Sequence, residues 1–170
     1  MNIAVFGSAF NPPSLGHKSV IERLTHYDKV LLVPSISHAW GKKMLSYEDR
    51  IEMVSAFIND LPLNNVEISL IEKELYVPEQ SVTTFSLLKK LQELNKEADI
   101  TFIIGPDNLL KFDKFSNADE IVKRWNVMAC PETLPVRSTD IRNAIKKGED
   151  ITHLTTQGVQ LYIKAHHLYE

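Results

Sequence analysis

Five short apolar runs recur along the chain, with helix-patterned segments between most of them. They are residues 3–6 (IAVF), 29–34 (KVLLVP), 66–71 (VEISLI), 99–105 (DITFIIG) and 127–130 (VMAC). Each is too short for a buried helix, and most end at Gly or Pro, so each reads as a buried strand. The intervening helices are expected at about 15–24, 47–58, 83–95, 139–147 and 157–167. In the second of these, Tyr47, Ile51, Val54 and Ile58 fall on one face behind a Ser46 N-cap. Strands alternating with helices predict an α/β fold: a Rossmann-like, doubly wound parallel sheet with helices on both faces. The 170 residues carry no repeat or linker, which predicts one domain over 1–170.

Composition narrows the function classes. The formal net charge of −3 argues against a broad nucleic-acid or anionic-membrane surface, so any bound anion needs a local site. The single cysteine, Cys130, excludes an internal disulfide and a Cys-based zinc site. No apolar stretch is long enough to span a bilayer, and no secretory signal is evident, which predicts a cytoplasmic protein.

In an open α/β sheet, ligands bind beyond the carboxyl ends of the strands. Gly7 ends the first strand, and the loop FGSAFNPPSLGHKSV (6–20) leads to a helix starting near Gly16-His17. Backbone N–H groups at such a start favour an anion, and a histidine there can donate to a phosphate oxygen. The same residues would equally serve a turn whose histidine caps the helix. RSTDIR (137–142) repeats the theme: Ser138 or Thr139 can cap a helix, and Arg142 projects from nearly the same side. Its plainer reading is a capped helix with solvated arginines. A third strand end runs into Gly105-Pro106-Asp107-Asn108-Leu109. Neither a P-loop nor a G-x-G-x-x-G is present in these segments.

Taken together, the three segments resemble the HxGH nucleotidyltransferases, and within them the nicotinate/nicotinamide mononucleotide adenylyltransferases. The family's first motif, G-G-T-F-D-P-x-H/T-x-G-H, stands as Gly7-Ser8-Ala9-Phe10-Asn11-Pro12-Pro13-Ser14-Leu15-Gly16-His17. S-S/T-x-x-R stands as Ser138-Thr139-Asp140-Ile141-Arg142, and G-A/P-D-x-L as residues 105–109. Ser81-Val82-Thr83-Thr84 and the chain ending give weaker echoes. Ser14 replaces the first histidine of HxGH, Asn11 replaces an acidic residue, and Phe115 stands where many relatives carry tryptophan.

The resemblance implies transfer of the adenylyl group of ATP to a pyridine mononucleotide, aided by Mg2+, with pyrophosphate released. It implies catalytic roles for His17 at the α-phosphate, for Ser14 as a weaker neighbour, and for Arg142. It puts Ser138, Thr139 and Arg142 on the β- and γ-phosphates, Asp107 at the ribose, and Gly7, Ser8, Phe10, Gly16 and Gly105 beside ATP. Trp40, Lys42, Lys43 and Phe115 are implied for the mononucleotide, and the protein supplies no metal ligands. Nicotinate mononucleotide is the expected acceptor, with the nicotinamide form as a second. The alternatives are a cytidylyltransferase or a pantetheine-phosphate adenylyltransferase on the same fold, the latter sharing the first motif but fitting residues 105–109 and the chain ending poorly, and a non-catalytic nucleotide binder.

Overall fold

The computed structural model of the protein describes residues 1–37 and 43–170. Its elements in chain order are β1 (Asn2–Ser8), α1 (Leu15–Ile21), β2 (Lys29–Pro34), α2 (Tyr47–Asp60), β3 (Val66–Ile68), α3 (Ile71–Leu75), α4 (Thr84–Leu94), β4 (Asp99–Ile104), α5 (Pro106–Leu110), α6 (Ala118–Arg124), β5 (Asn126–Ala129), α7 (Ser138–Lys146) and α8 (Gln157–Ala165). The five strands pair in parallel in the order β3-β2-β1-β4-β5. The order reverses between β1 and β4, so their carboxyl ends flank the topological switch point.

Alternation along the strands divides the core in two. Ala4 and Phe6 of β1, Val30 and Leu32 of β2 and Ile103 of β4 pack with residues of α1, α2, α7 and α8. Ile3, Val5, Leu31, Val33, Ile100, Phe102 and Ile104 face the other way, onto α3, α4 and α6. Strands buried on both faces explain the continuous apolar runs.

Three expectations need correction. The third strand ends at Ile68: it is an edge strand paired only through Val30–Leu32, and the chain turns at Leu70 into the short helix α3. The buried stripe of α2 is Tyr47, Arg50, Met53, Val54 and Phe57, rotated from the expected face because Arg50 goes inward. Helix α7 begins one residue early. Arg137 is its N-cap residue, and the Asp140 carboxylate accepts from the Arg137 N–H at 2.9 Å, which frees the Ser138 hydroxyl from capping. Ser46 does cap α2, accepting from the Asp49 N–H at 3.1 Å.

Gly16 shows how tightly α1 is set against the segment before α7. A Cβ on Gly16 would clash with the Val136 carbonyl oxygen. That neighbour is backbone, so relief requires main-chain movement. Gly16→Ala is expected to destabilise the fold by about 1–3 kcal/mol, as overpacking does, which lowers the melting temperature by several degrees at roughly 2–4 °C per kcal/mol. An unchanged melting temperature would show that the two segments slide apart freely.

Candidate active site

The loop after β1 holds His17 by hydrogen bonds at both ring nitrogens. Ser14 is the N-cap of α1, and its hydroxyl accepts from the His17 N–H at 3.3 Å. In return the Ser14 N–H donates to His17 Nδ1 at 3.0 Å. This reciprocal capping box fixes the tautomer: an Nδ1 that accepts a backbone N–H carries no proton, so the proton sits on Nε2. Nε2 lies 3.1 Å from the Ser8 hydroxyl, on the wall of a cleft. The ring packs against Phe10, with centroids 4.7 Å apart, and Phe6 lies behind both. Burial pushes the His17 pKa down to about 4. At neutral pH this histidine is therefore an oriented, uncharged donor.

Ser14 itself is buried, and its hydroxyl also donates to the Val136 carbonyl at 3.2 Å. The Ser14 hydroxyl also lies 3.1 Å from His17 Nδ1, so its contacts in this structure orient the histidine ring. Gly16 is likewise committed to packing.

The N-terminus of α7 is stitched to the same loop. The Ser138 hydroxyl donates to the Pro12 carbonyl at 2.6 Å. Arg142 donates from Nη1 to the Asn11 carbonyl at 2.7 Å and from Nη2 to the Thr139 hydroxyl at 3.1 Å. Ser138, Thr139 and Arg142 line a small cavity of 140 Å³ together with Ser8, Phe10 and Lys43. One guanidinium, one ammonium, three hydroxyls and a helix start converge there, a donor set suited to an anion. Lys43, expected with the mononucleotide, lines the same cavity as Arg142.

The cleft beside His17 encloses 490 Å³ between Gly7, Ser8, Gly105, Asp107, Asn108, Glu132 and Arg137. Asp107 and Arg137 form an exposed ion pair at 3.7 Å. A Cβ on Gly105 would meet nothing within 4 Å, so this glycine opens onto space. On the other side of Gly7 and Gly105 is a third cavity of 220 Å³, lined by Ser35, Glu72, Ser81, Val82, Thr84, Asn108 and Phe115. Trp40 and Lys42 lie outside the described residues. Among the described residues, no group of three or more His, Cys, Asp or Glu could hold a metal ion.

Sequence reasoning missed Arg50 and Glu72. Arg50 is 1% exposed and donates to the carbonyls of Ala9 at 2.9 Å, Leu45 at 3.0 Å and Ser35 at 2.6 Å. It thereby ties the β1 loop, the end of β2 and the approach to α2 together. Tyr169 adds a further tie, donating to Asn11 Oδ1 at 2.7 Å. Burial pushes the Glu72 carboxyl up to about 7, against the lowering effects of the Ile36 N–H and Arg50.

His17 and Glu72 act on stability with opposite signs. Below its ordinary 6.5, His17 binds a proton in the unfolded chain and refuses it in the folded one, so its contribution is lost as pH falls toward 4. Glu72 holds a proton in the folded state above its ordinary 4.5, so its contribution is lost as pH rises through 7. Relative to the wild type, the melting temperature of His17→Asn is expected to gain as pH falls from about 7 to 4.5, and that of Glu72→Gln to gain as pH rises over the same range. Parallel profiles for the two variants would contradict the assignment.

Comparison with known proteins agrees with this geometry. Residues 5–145 match the family described as Cytidylyltransferase-like. The chain is 29% identical to a probable nicotinate-nucleotide adenylyltransferase of Lactiplantibacillus plantarum, over 99% of this chain and 88% of that protein. It is 28% identical to one of Bacillus pumilus, over 99% and 98%. A candidate nicotinate-nucleotide adenylyltransferase of Vibrio parahaemolyticus, solved by crystallography, superposes with a TM-score of 0.89 at 55% identity, covering 99% of this chain and 94% of that one. The Plasmodium falciparum nicotinic acid mononucleotide adenylyltransferase complexed with NaAD shares the fold, with a TM-score of 0.79 at 17% identity over 99% and 97%. The chain belongs to the cytidylyltransferase-like family of nucleotidyltransferases, in its nicotinate-nucleotide adenylyltransferase branch.

Proposed function

We infer that residues 1–170 work as one nucleotidyltransferase domain that joins the AMP part of ATP to nicotinate mononucleotide, in NAD biosynthesis. The observation that carries this reading is the meeting, at Ser8 beyond the carboxyl end of β1, of the cleft lined by His17 with the cavity lined by Arg142 and the start of α7. A 5′-phosphate oxygen of the mononucleotide attacks the α-phosphorus of ATP. A bond to that phosphorus forms, the bond to the bridging oxygen of the pyrophosphate breaks, and pyrophosphate leaves with the negative charge.

Such a reaction needs positioning and charge compensation more than covalent help. His17 donates to an α-phosphate oxygen through Nε2, with Ser14 and Phe10 holding its ring. Arg142, Thr139, the backbone N–H of Ser138 and Lys43 take the β- and γ-phosphates, steadying the leaving group. Asp107 meets the ATP ribose. Gly7 and Gly105 leave room for the nucleoside, and Ser8 stands where the two phosphate regions meet. Mg2+ bound with ATP would offset charge on the phosphates and the leaving pyrophosphate, beside the donors of Arg142, Thr139 and Lys43. Phe115 stacks on the pyridine in the third cavity.

Among the described residues, no helix is long and apolar enough to cross a membrane, and an ATP-consuming synthetic step fits the cytoplasm. The family description also covers CTP-using relatives, so the nucleotide must be tested together with the acceptor. The experiment is product formation from Mg-ATP or Mg-CTP with nicotinate mononucleotide, nicotinamide mononucleotide and pantetheine phosphate. The reading expects a dinucleotide from ATP and nicotinate mononucleotide at the highest kcat/KM. A preference for CTP or for pantetheine phosphate would overturn it.

A further inference from the structure

The third cavity contains a group that sits awkwardly with an acidic substrate. Glu72 lies in the first turn of α3, is 8% exposed, and lines the same cavity as Phe115, Ser81 and Thr84. Among the described residues it is the only charged side chain on that wall. Its Oε1 accepts from the Ile36 N–H at 3.2 Å. From α2, Arg50 and Tyr47 face it, with Glu48 beyond. Arg50 gives its Nε and both Nη1 N–H groups to three backbone carbonyls, and among the described residues Arg50 and Glu72 form no ion pair. On its own helix Lys73 and Glu74 are exposed.

The two pyridine mononucleotides differ only in the ring substituent. Nicotinate carries a carboxylate, which accepts only, and nicotinamide carries a neutral amide with two N–H donors. An ionised carboxylate in the pocket wall repels the first and can accept from the second. A protonated one has an O–H to donate to the substrate carboxylate. We propose that Glu72 sets the choice between the two acceptors, its charged form favouring the amide and its neutral form the acid. The proposal rests on the reading that this cavity takes the pyridine. Burial holds the Glu72 carboxyl near 7, so the switch would operate within the ordinary working range of pH.

The test is kcat/KM for nicotinate and nicotinamide mononucleotide at saturating Mg-ATP, from about pH 6 to pH 8.5, in the wild type and in Glu72→Gln. Ionisation of the 5′-phosphate is common to both acceptors, and so is any titration of His17, so both cancel in the acid-to-amide ratio. The wild-type ratio is expected to fall about tenfold across this range, because a group titrating near 7 passes from mostly protonated to mostly ionised. Glu72→Gln, which can still accept from Ile36, is expected to hold a ratio independent of pH. A flat wild-type ratio with both acceptors in use overturns the proposal and leaves the pyridine reading intact. So does a Glu72→Gln ratio that keeps the wild-type slope. Should the wild type use neither acceptor, the pyridine reading falls and the proposal with it. If Glu72→Gln does not fold, the wild-type profile alone decides.

Discussion

His17→Ala is expected to lower kcat by about 100- to 1,000-fold, the usual consequence of removing one donor that stabilises charge in the transition state. The side chain leaves a partly exposed wall position, and Ser14 still caps α1, so the protein should fold. Its melting temperature should drop modestly, through the loss of the Ser14 N–H to Nδ1 bond, about 1 kcal/mol, and of the ring's packing against Phe10. His17→Gln separates the two contributions. A glutamine can donate near the same point but lacks the ring clamped between Phe10 and the capping box. It should recover part of the stability and little of the turnover. Near wild-type kcat in a folded His17→Ala protein would reduce this histidine to a helix cap, the plainer reading that its sequence position allows.

Arg142→Ala is expected to lower kcat/KM for ATP by about 10- to 100-fold, the size of a lost hydrogen-bonded charge contact. Arg142→Lys should restore only part of it, because an ammonium cannot reach the Asn11 carbonyl, the Thr139 hydroxyl and a phosphate together as a planar fork can. Steady-state kinetics and the melting temperature of each variant separate this from a structural role. If Arg142 only fastens α7 to the β1 loop, both variants lose stability while the KM for ATP stays put.

The sequence reveals the frame because buried parallel strands write themselves as continuous apolar runs. KVLLVP is β2 residue for residue, and DITFIIG overruns β4 only by its terminating glycine. Edge position breaks the rule at VEISLI, where half the run has no strand to pair with. The helices between β4 and β5 and the short α3 carry too few turns to show a periodicity. The site was legible where function and local chemistry coincide: the Gly7–His17 loop, Gly105–Asp107 and Ser138–Arg142 do meet at one sheet edge. Ser14 looked like a substitute for a phosphate donor, and only the fold shows its hydroxyl spent on the His17 N–H and the Val136 carbonyl. Lys43 lines the Arg142 cavity, and nothing local in the sequence fixes which wall a loop lysine joins. Arg50 and Glu72 were invisible because their meaning is tertiary. An arginine inside YEDRIEMV reads as a solvated helix position until the carbonyls of Ala9 and Ser35, from distant segments, and of nearby Leu45 close around it.

The central claim is adenylyl transfer at the α-phosphorus, with pyrophosphate as the leaving group. It is tested most directly by giving the enzyme ATP labelled at either the α- or the γ-phosphate, together with nicotinate mononucleotide. The account predicts that α-label appears in the dinucleotide and γ-label in pyrophosphate, in equal amounts. Release of γ-label as orthophosphate, or γ-label in the product, would contradict it.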